Sequence, residues 1–256
     1  MVSYKQTKQN MKSLTKILLA ATLLAGANYT YASLHSTVKV RQQGNVQDRH
    51  ISGFNSIDAA GSFDVYIVQG ATESVRVEAP VEVIDHIATD VENGVLKIHS
   101  KHESGWSWND WGHKKIAVYV TAKDLNSVAI TGSGNVFFKD GISTPGALKI
   151  RLTGSGDVIG KVDAKSLECS IAGSGNIKLS GHAESSSVSV SGSGDYTAKS
   201  LVTSSTTVHV SGSGNANVNA SSSIEASVSG SGDVSYTGGA QHVVGSKSGS
   251  GSISRD

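Results

Sequence analysis

Beyond residue 127 the chain alternates apolar and polar positions in short stretches that recur at a nearly constant interval. Gly-Ser-Gly occurs seven times, with first glycines at Gly132, Gly154, Gly173, Gly192, Gly212, Gly230 and Gly249, in steps of 22, 19, 19, 20, 18 and 19 residues. Two positions before the first six of these glycines stand Ile130, Leu152, Ile171, Val190, Val210 and Val228, and four before stand Val128, Ile150, Cys169, Val188, Val208 and Ala226. Four positions after the seven glycines stand Val136, Val158, Ile177, Tyr196, Ala216, Val234 and Ile253. An apolar row of period two marks strands with one buried face. Both glycines of the motif share the parity of that row, so the core side is bare there and the chain can turn a corner without a Cβ clash. Mostly Ser or Thr, then Ser, then Asn or Asp fall on the opposite, solvent-facing parity.

A fixed period of this length identifies a repeat architecture. About 19 residues are too few for a helix pair but suit one coil of three short strands and their turns at ~3.3 Å per residue. A single coil cannot bury its own apolar face; coils stacked ~4.8 Å apart pair each strand with its equivalent and pile like residues into ladders. The predicted fold class is all-β, a right-handed parallel β-helix (β-solenoid) with coils of about 19 residues.

A degenerate copy lies upstream, where the segment from Ile57 to Ile67 keeps the same parity with Phe63 in place of the second glycine. The solenoid is therefore predicted to begin near residue 50. The stretch from Gly61 to Gly132 is expected to fill roughly three and a half less regular coils. Pro80 followed by Val81, Ile84, His86, Ile87 and Val91 predicts a short amphipathic helical turn. Val95 to Ile98 and Ile116 to Val120 predict strands. The expected organisation is a signal peptide over 1–32, a lead-in over 33–48 and a single β-helix domain over 49–256, irregular over 49–127 with a Trp-rich insertion and regular over 128–256.

The first 32 residues differ in kind from the rest. Lys5, Lys8, Lys12 and Lys16 come with no acid, then an apolar run from Ile17 to Ala27 and small residues ending at Thr30-Tyr31-Ala32, the pattern of a secretory signal peptide. The apolar run is shorter than the roughly 20 residues of a membrane span, so the mature chain is expected to be soluble, with no transmembrane segment. Met11 offers a second start, which would leave residues 1–10 upstream of the true one. No Cys follows Leu23-Leu24-Ala25-Gly26-Ala27, so lipid attachment is not expected. Removal of residues 1–32 takes the formal charge from +1 to −3. That argues against nucleic acid as a partner, because phosphate binding needs a concentrated basic surface. One cysteine, Cys169, excludes an intramolecular disulfide, although an exported chain meets an oxidising environment.

Several motifs occur in order: Gly53-Phe54-Asn55-Ser56-Ile57, Gly61-Ser62-Phe63-Asp64-Val65, Gln69-Gly70, Gly94-Val95-Leu96-Lys97-Ile98, then serial Gly-Ser-Gly-Asn/Asp coils. Together they resemble the bacterial family DUF2807, the putative auto-transporter adhesin head GIN domain, over roughly residues 45–240. The resemblance implies a right-handed β-helical fold and an exported location. It implies no activity and brings no catalytic residues.

The third polar position of the motif alternates between amide and acid: Asn135, Asp157, Asn176, Asp195, Asn215, Asp233, then Ser252. Were all of them Asp, carboxylates ~5 Å apart would repel by roughly 3 kcal/mol each at an effective dielectric near 20. Alternation doubles the spacing to ~10 Å, beyond the ~8 Å Debye length of physiological salt. These residues are expected to form a structural polar ladder that steadies the turns through local side-chain hydrogen bonds. Calcium arrays repeat about every nine residues and pair carboxylates from adjacent turns, so no metal site is assigned. The outward serines solvate a face, and none has a His and an acid at repeat spacing.

Trp106, Trp108 and Trp111 cluster in the least repeat-like window. Trp106 and Trp108 would share one side of a strand, where they either pack the end of the solenoid or stack on a sugar or a partner surface, making them a candidate recognition patch. His99, His102 and His113 lie around them without the spacing of a zinc site. A polysaccharide-active enzyme would need a carboxylate cluster in a cleft, and none stands out. The expected protein is therefore a non-enzymatic, cofactor-free module exported to the periplasm, cell surface or medium, adhesin-like, with a glycan or a cell-surface protein as partner. The alternative is a passive periplasmic scaffold with no small-molecule ligand; an enzyme ranks below both. The last coil is placed to pair edge to edge with a second copy, giving a homo-oligomer.

Overall fold

A computed structural model of the chain describes residues 45–101 and 115–256. They form a β-solenoid of about seven turns with coils of about 19 residues. In chain order the elements are β1 (Asn45–Asp48), β2 (Ser56–Gly61), β3 (Asp64–Gln69), β4 (Ser74–Ala79), α1 (Val81–Ile84), β5 (Ile87–Glu92), β6 (Val95–Ser100), β7 (Ala117–Ala122), β8 (Ser127–Gly132) and β9 (Asn135–Phe138). The long bent strands β10 (Ile142–Gly154), β11 (Asp157–Gly173), β12 (Asn176–Gly192), β13 (Tyr196–Gly212) and β14 (Ala216–Gly230) follow, then β15 (Val234–Thr237), β16 (His242–Gly249) and β17 (Ile253–Arg255).

Each repeat crosses three faces. The first leads into Gly-Ser-Gly, the second leaves it, and the third carries residues such as Val162, Ala183 and Leu201. On the first face Ile130, Leu152, Ile171, Val190, Val210 and Val228 are successive parallel neighbours. All six are at most 2 % exposed. The predicted dry ladder is thus present, each burial stabilising by about 1.5–3 kcal/mol. The row breaks in the last coil, where Lys247 is the neighbour of Val228.

The corner is built by backbone. The Gly154 carbonyl oxygen accepts from Ser174 N–H at 2.9 Å and Gly175 N–H at 3.0 Å, and the same pair of bonds recurs at Gly173, Gly192 and Gly212. Each of these carbonyls therefore points along the solenoid at the following coil. A Cβ on Gly173 would lie 2.4 Å from the Gly154 oxygen, and φ there is +126°. The close approach of the neighbouring carbonyl, beyond the sharpness of the turn, is what demands glycine.

Coil order departs from chain order at one end. Gly61 is the direct neighbour of Gly132, and β3 pairs β9. On their other side β2 and β3 pair β6 and β7, which come later in the chain. The intervening residues therefore do not fill three and a half coils between these glycines. They pass to the far side of the β2–β3 coil and add one coil there, covered by antiparallel strands: β5 on β6, β4 on β7 and β1 on β4. So the fold is parallel except at this end. The predicted helical turn is the four-residue α1, which buries Val83 and Ile84 and leaves Val81 63 % exposed; Ile87 and Val91 belong to β5.

The core adapts to one large residue. Tyr196 spans the interior toward Cys169 and Ser186, and its neighbour in the next coil is Ala216. Neither Cys169 nor Ser186 meets its hydroxyl in hydrogen-bond geometry. Burial pushes the Cys169 thiol up to about 12, so it is inert toward electrophiles in the folded chain.

Candidate functional site

The outer side of the second face carries two adjacent columns of side chains. The first is the Asn/Asp ladder. Asn135 Nδ2 donates to Asp64 Oδ1 at 2.8 Å, Asn176 Nδ2 to Asp157 Oδ1 at 2.9 Å, and Asn215 Nδ2 to Asp195 Oδ1 at 2.9 Å. In return the Asn oxygens accept from the next coil, Asp157 N–H to Asn135 Oδ1 at 3.0 Å and Asp233 N–H to Asn215 Oδ1 at 3.1 Å. Ser252 closes the row by donating its N–H and Oγ–H to Asp233 Oδ1 at 2.8 and 2.7 Å, which lowers the Asp233 carboxyl below its ordinary value. These bonds run between coils, whereas local bonds within each turn were expected. Asp64 and Ser252 extend the ladder at its two ends.

The second column lies two residues further along each strand. In spatial order it reads Tyr119, Tyr66, Phe137, Ile159 and Lys178, each the registered neighbour of the next. The Tyr66 ring stacks on Tyr119 at 5.2 Å and 18°, and on Phe137 at 5.1 Å and 16°. Tyr119 is 38 % and Ile159 41 % exposed. Lys139 Nζ sits 4.7 Å from the Tyr66 ring centre and 5.6 Å from that of Phe137, a cation–π arrangement. Tyr119 Oη donates to Glu78 Oε2 at 3.0 Å. Both phenols titrate above the ordinary value: partial burial comes first, then the Asp64 carboxylate beside Tyr66 and the Glu78 hydrogen bond at Tyr119.

Tyr119, Tyr66, Phe137 and Ile159 thus form a continuous row of three rings and one aliphatic side chain on the outer side of the sheet, with Tyr119 and Ile159 exposed and Tyr66 and Phe137 half-buried. Sequence reasoning missed them. Tyr66 and Phe137 do share one offset, five residues after Gly61 and Gly132, a signal that parity alone could have raised. Tyr119 joins them only through the β3–β7 pairing.

Trp106, Trp108 and Trp111, with His102 and His113, lie outside the described residues, as do residues 1–44. His99 faces Asp90, Nε2 to Oδ2 3.7 Å. Among the described residues no group of three His, Cys, Asp or Glu is placed to hold a metal ion, and no helix is long and apolar enough to cross a membrane.

Among solved structures the chain is similar to a protein from Bacteroides fragilis described as a putative adhesin. The two share 25 % identity and a TM-score of 0.77 over 84 % of this chain and 98 % of that one. A putative adhesin from Parabacteroides merdae aligns at 21 % identity and a TM-score of 0.67 over 84 % and 97 %. A protein from Parabacteroides distasonis described as a putative lipid binding protein aligns at 24 % and 0.65 over 84 % and 98 %. The last two likenesses speak to the fold. No curated protein sequence matches the chain. Residues 53–240 match the sequence model of DUF2807. Neither that family nor these neighbours are described as enzymes. With most of the solenoid inside the match, the chain belongs to the family described as "Putative auto-transporter adhesin, head GIN domain".

Proposed function

We propose that the chain is an exported, adhesin-like binding module that engages a surface ligand through the outer side of its second face. The observation that carries this reading is the outward-facing stack of Tyr119, Tyr66 and Phe137, in which Tyr119 is exposed and the other two rings are half-buried. Rings on the outer side of the sheet do not contribute to the core, whereas aromatic groups dominate recognition surfaces. Family membership and the adhesin descriptions of the structural neighbours support binding and an envelope or extracellular location. The lysine-rich, then apolar pattern of residues 1–32 supports export through a cleaved signal peptide.

The test compares the parent protein, recovered from outside the cytoplasm of expressing cells, with a Tyr66→Ser, Phe137→Ser double variant on a glycan array and on whole cells. The parent is expected to bind and the variant to lose about thirtyfold in affinity, the ~2 kcal/mol of an aromatic anchor. Because both side chains are outward, the variant should keep its fold. A parent that binds nothing, or a variant that binds as well as the parent, would support the passive scaffold instead. Recovery of the chain only inside the cytoplasm with residues 1–32 intact would overturn the export part.

A further inference from the structure

We infer that the ligand of this face is an uncharged polysaccharide lying along the solenoid axis, an inference that rests on the binding reading above. The carrying observation is a polar trough that continues the aromatic column. Beyond Ile159 and Lys178 the second column runs on through Thr197, Asn217, Ser235 and Ser254, each the registered neighbour of the next. With Asp195 and Asp233 of the ladder these four line an open hollow of about 420 Å³. From Tyr119 to Ser254 the column covers eight steps of about 4.8 Å, roughly 38 Å, with rings at one end and the trough at the other.

The polar groups of the trough keep unused hydrogen-bonding capacity of both kinds. Asp195 Oδ1 accepts from Asn215 N–H and Nδ2–H at 3.0 and 2.9 Å, and Asp233 Oδ1 accepts from Ser252. In both carboxylates Oδ2 has no partner among the described residues. Asn217 Oδ1 accepts from Ser235 Oγ at 2.6 Å, which leaves Nδ2–H to donate outward. The Thr197 and Ser254 hydroxyls make no hydrogen bond among the described residues and can do either. A ligand hydroxyl both donates and accepts, so it suits every one of these groups. The two free carboxylate oxygens lie two coils apart, about 10 Å, too far to grip one cation at the ~2.3–2.6 Å of calcium coordination.

Charge on this face selects neither sign. Asp64, Asp157, Asp195 and Asp233 recur along the ladder, while Lys139 stands over the rings and Lys178 follows Ile159 in the column. Carboxylates and ammonium groups therefore share the surface, and a charged polymer along its length would meet repulsion as well as attraction. Rings and hydroxyl-matching groups in one line call for a partner that presents C–H faces and hydroxyls together, the composition of a sugar chain. A lipid tail would leave the trough unmatched, and an extended peptide pairs with a backbone edge, which the outer side of a sheet lacks.

The experiment measures binding of the full chain to soluble mixed-linkage β-glucan, galactomannan and dextran at low and high salt, with dextran sulfate and polyglutamate as charged arms. At least one neutral polymer is expected to bind, more tightly than either charged arm and about equally at both salt levels, because no ion pair forms. Combined Thr197→Val, Asn217→Val and Ser254→Ala removes hydrogen-bonding groups at outward positions and should weaken that binding about tenfold. Ser189→Val on the outer side of the first face should leave it unchanged. Failure of all three neutral polymers, tighter binding to a charged arm, an affinity that falls with salt, or a triple variant that binds like the parent overturns the inference. If all neutral polymers fail while whole cells are still bound through Tyr66 and Phe137, only the uncharged-polysaccharide inference falls and the binding reading stands. If a polymer binds but neither the triple variant nor the Tyr66→Ser, Phe137→Ser variant weakens it, the binding face itself is wrong.

Discussion

A Cβ built on Gly156 would come within 1.8 Å of the Gly134 carbonyl oxygen, and no side chain stands between them to yield. Unlike the first glycine of each motif, Gly156 has no positive φ, so alanine there is opposed by contact alone. Gly156→Ala should lower stability by about 3 kcal/mol or more, at the severe end of overpacking. Its neighbour Ser155 points to water, and Ser155→Ala should stay within about 0.5 kcal/mol. Urea unfolding of the two variants side by side checks both figures. A mild effect at Gly156 would mean that the coils can part locally. Tyr196 shows the opposite accommodation. There one large ring is admitted because Cys169, Ser186 and Ala216 around it are small, a compensation of volumes that keeps the interior close-packed.

At the scale of strands, the ladder of Asn and Asp works as a zipper between coils. Each Asn uses its amide hydrogen downward and its oxygen upward, so a row of Asp alone would lose the donors as well as suffer repulsion. Asp233 gives the pH dependence. Its folded carboxyl titrates below the unfolded value of about 3.9 because Ser252 donates to it twice. The tie is therefore complete above that value and is lost as pH falls through the depressed one. Amide hydrogen exchange at Ser252 should accelerate selectively below about pH 4, relative to Ser213, whose N–H is held by the Gly192 carbonyl. A flat ratio of the two rates would show that the carboxylate does not hold this amide. The parity of the strands, the corner and the core rows were legible in the sequence because each follows from spacing within one coil. The partners of the Asn and Asp side chains were not, since they depend on the register between coils, which spacing does not specify.

For the whole molecule the informative departure is the nesting of β2 and β3 between coils that come later in the chain. A reading along the sequence winds the solenoid in order and leaves Gly61 several coils from Gly132. The reversal depends on antiparallel pairings of β4 and β5, whose residues carry no repeat and so gave no sign of where they dock. Tyr119 was hidden for the same reason. Nesting predicts that β2 and β3, though near the start of the described chain, exchange their amides as slowly as β11 and β12 and more slowly than β5 and β16, which lie at the borders of the stack. Native-state hydrogen exchange checks this. Rapid exchange across Val65 and Ile67 would contradict the coil order. The corner carbonyls carry a further consequence. From Gly61 through Gly132, Gly154, Gly173, Gly192, Gly212 and Gly230, each C=O is aimed at the coil that follows, so the peptide dipoles along this edge add head to tail instead of cancelling. One seam of the solenoid is thereby polarised lengthwise like a helix axis, negative toward Gly249, in a protein built almost entirely of sheet.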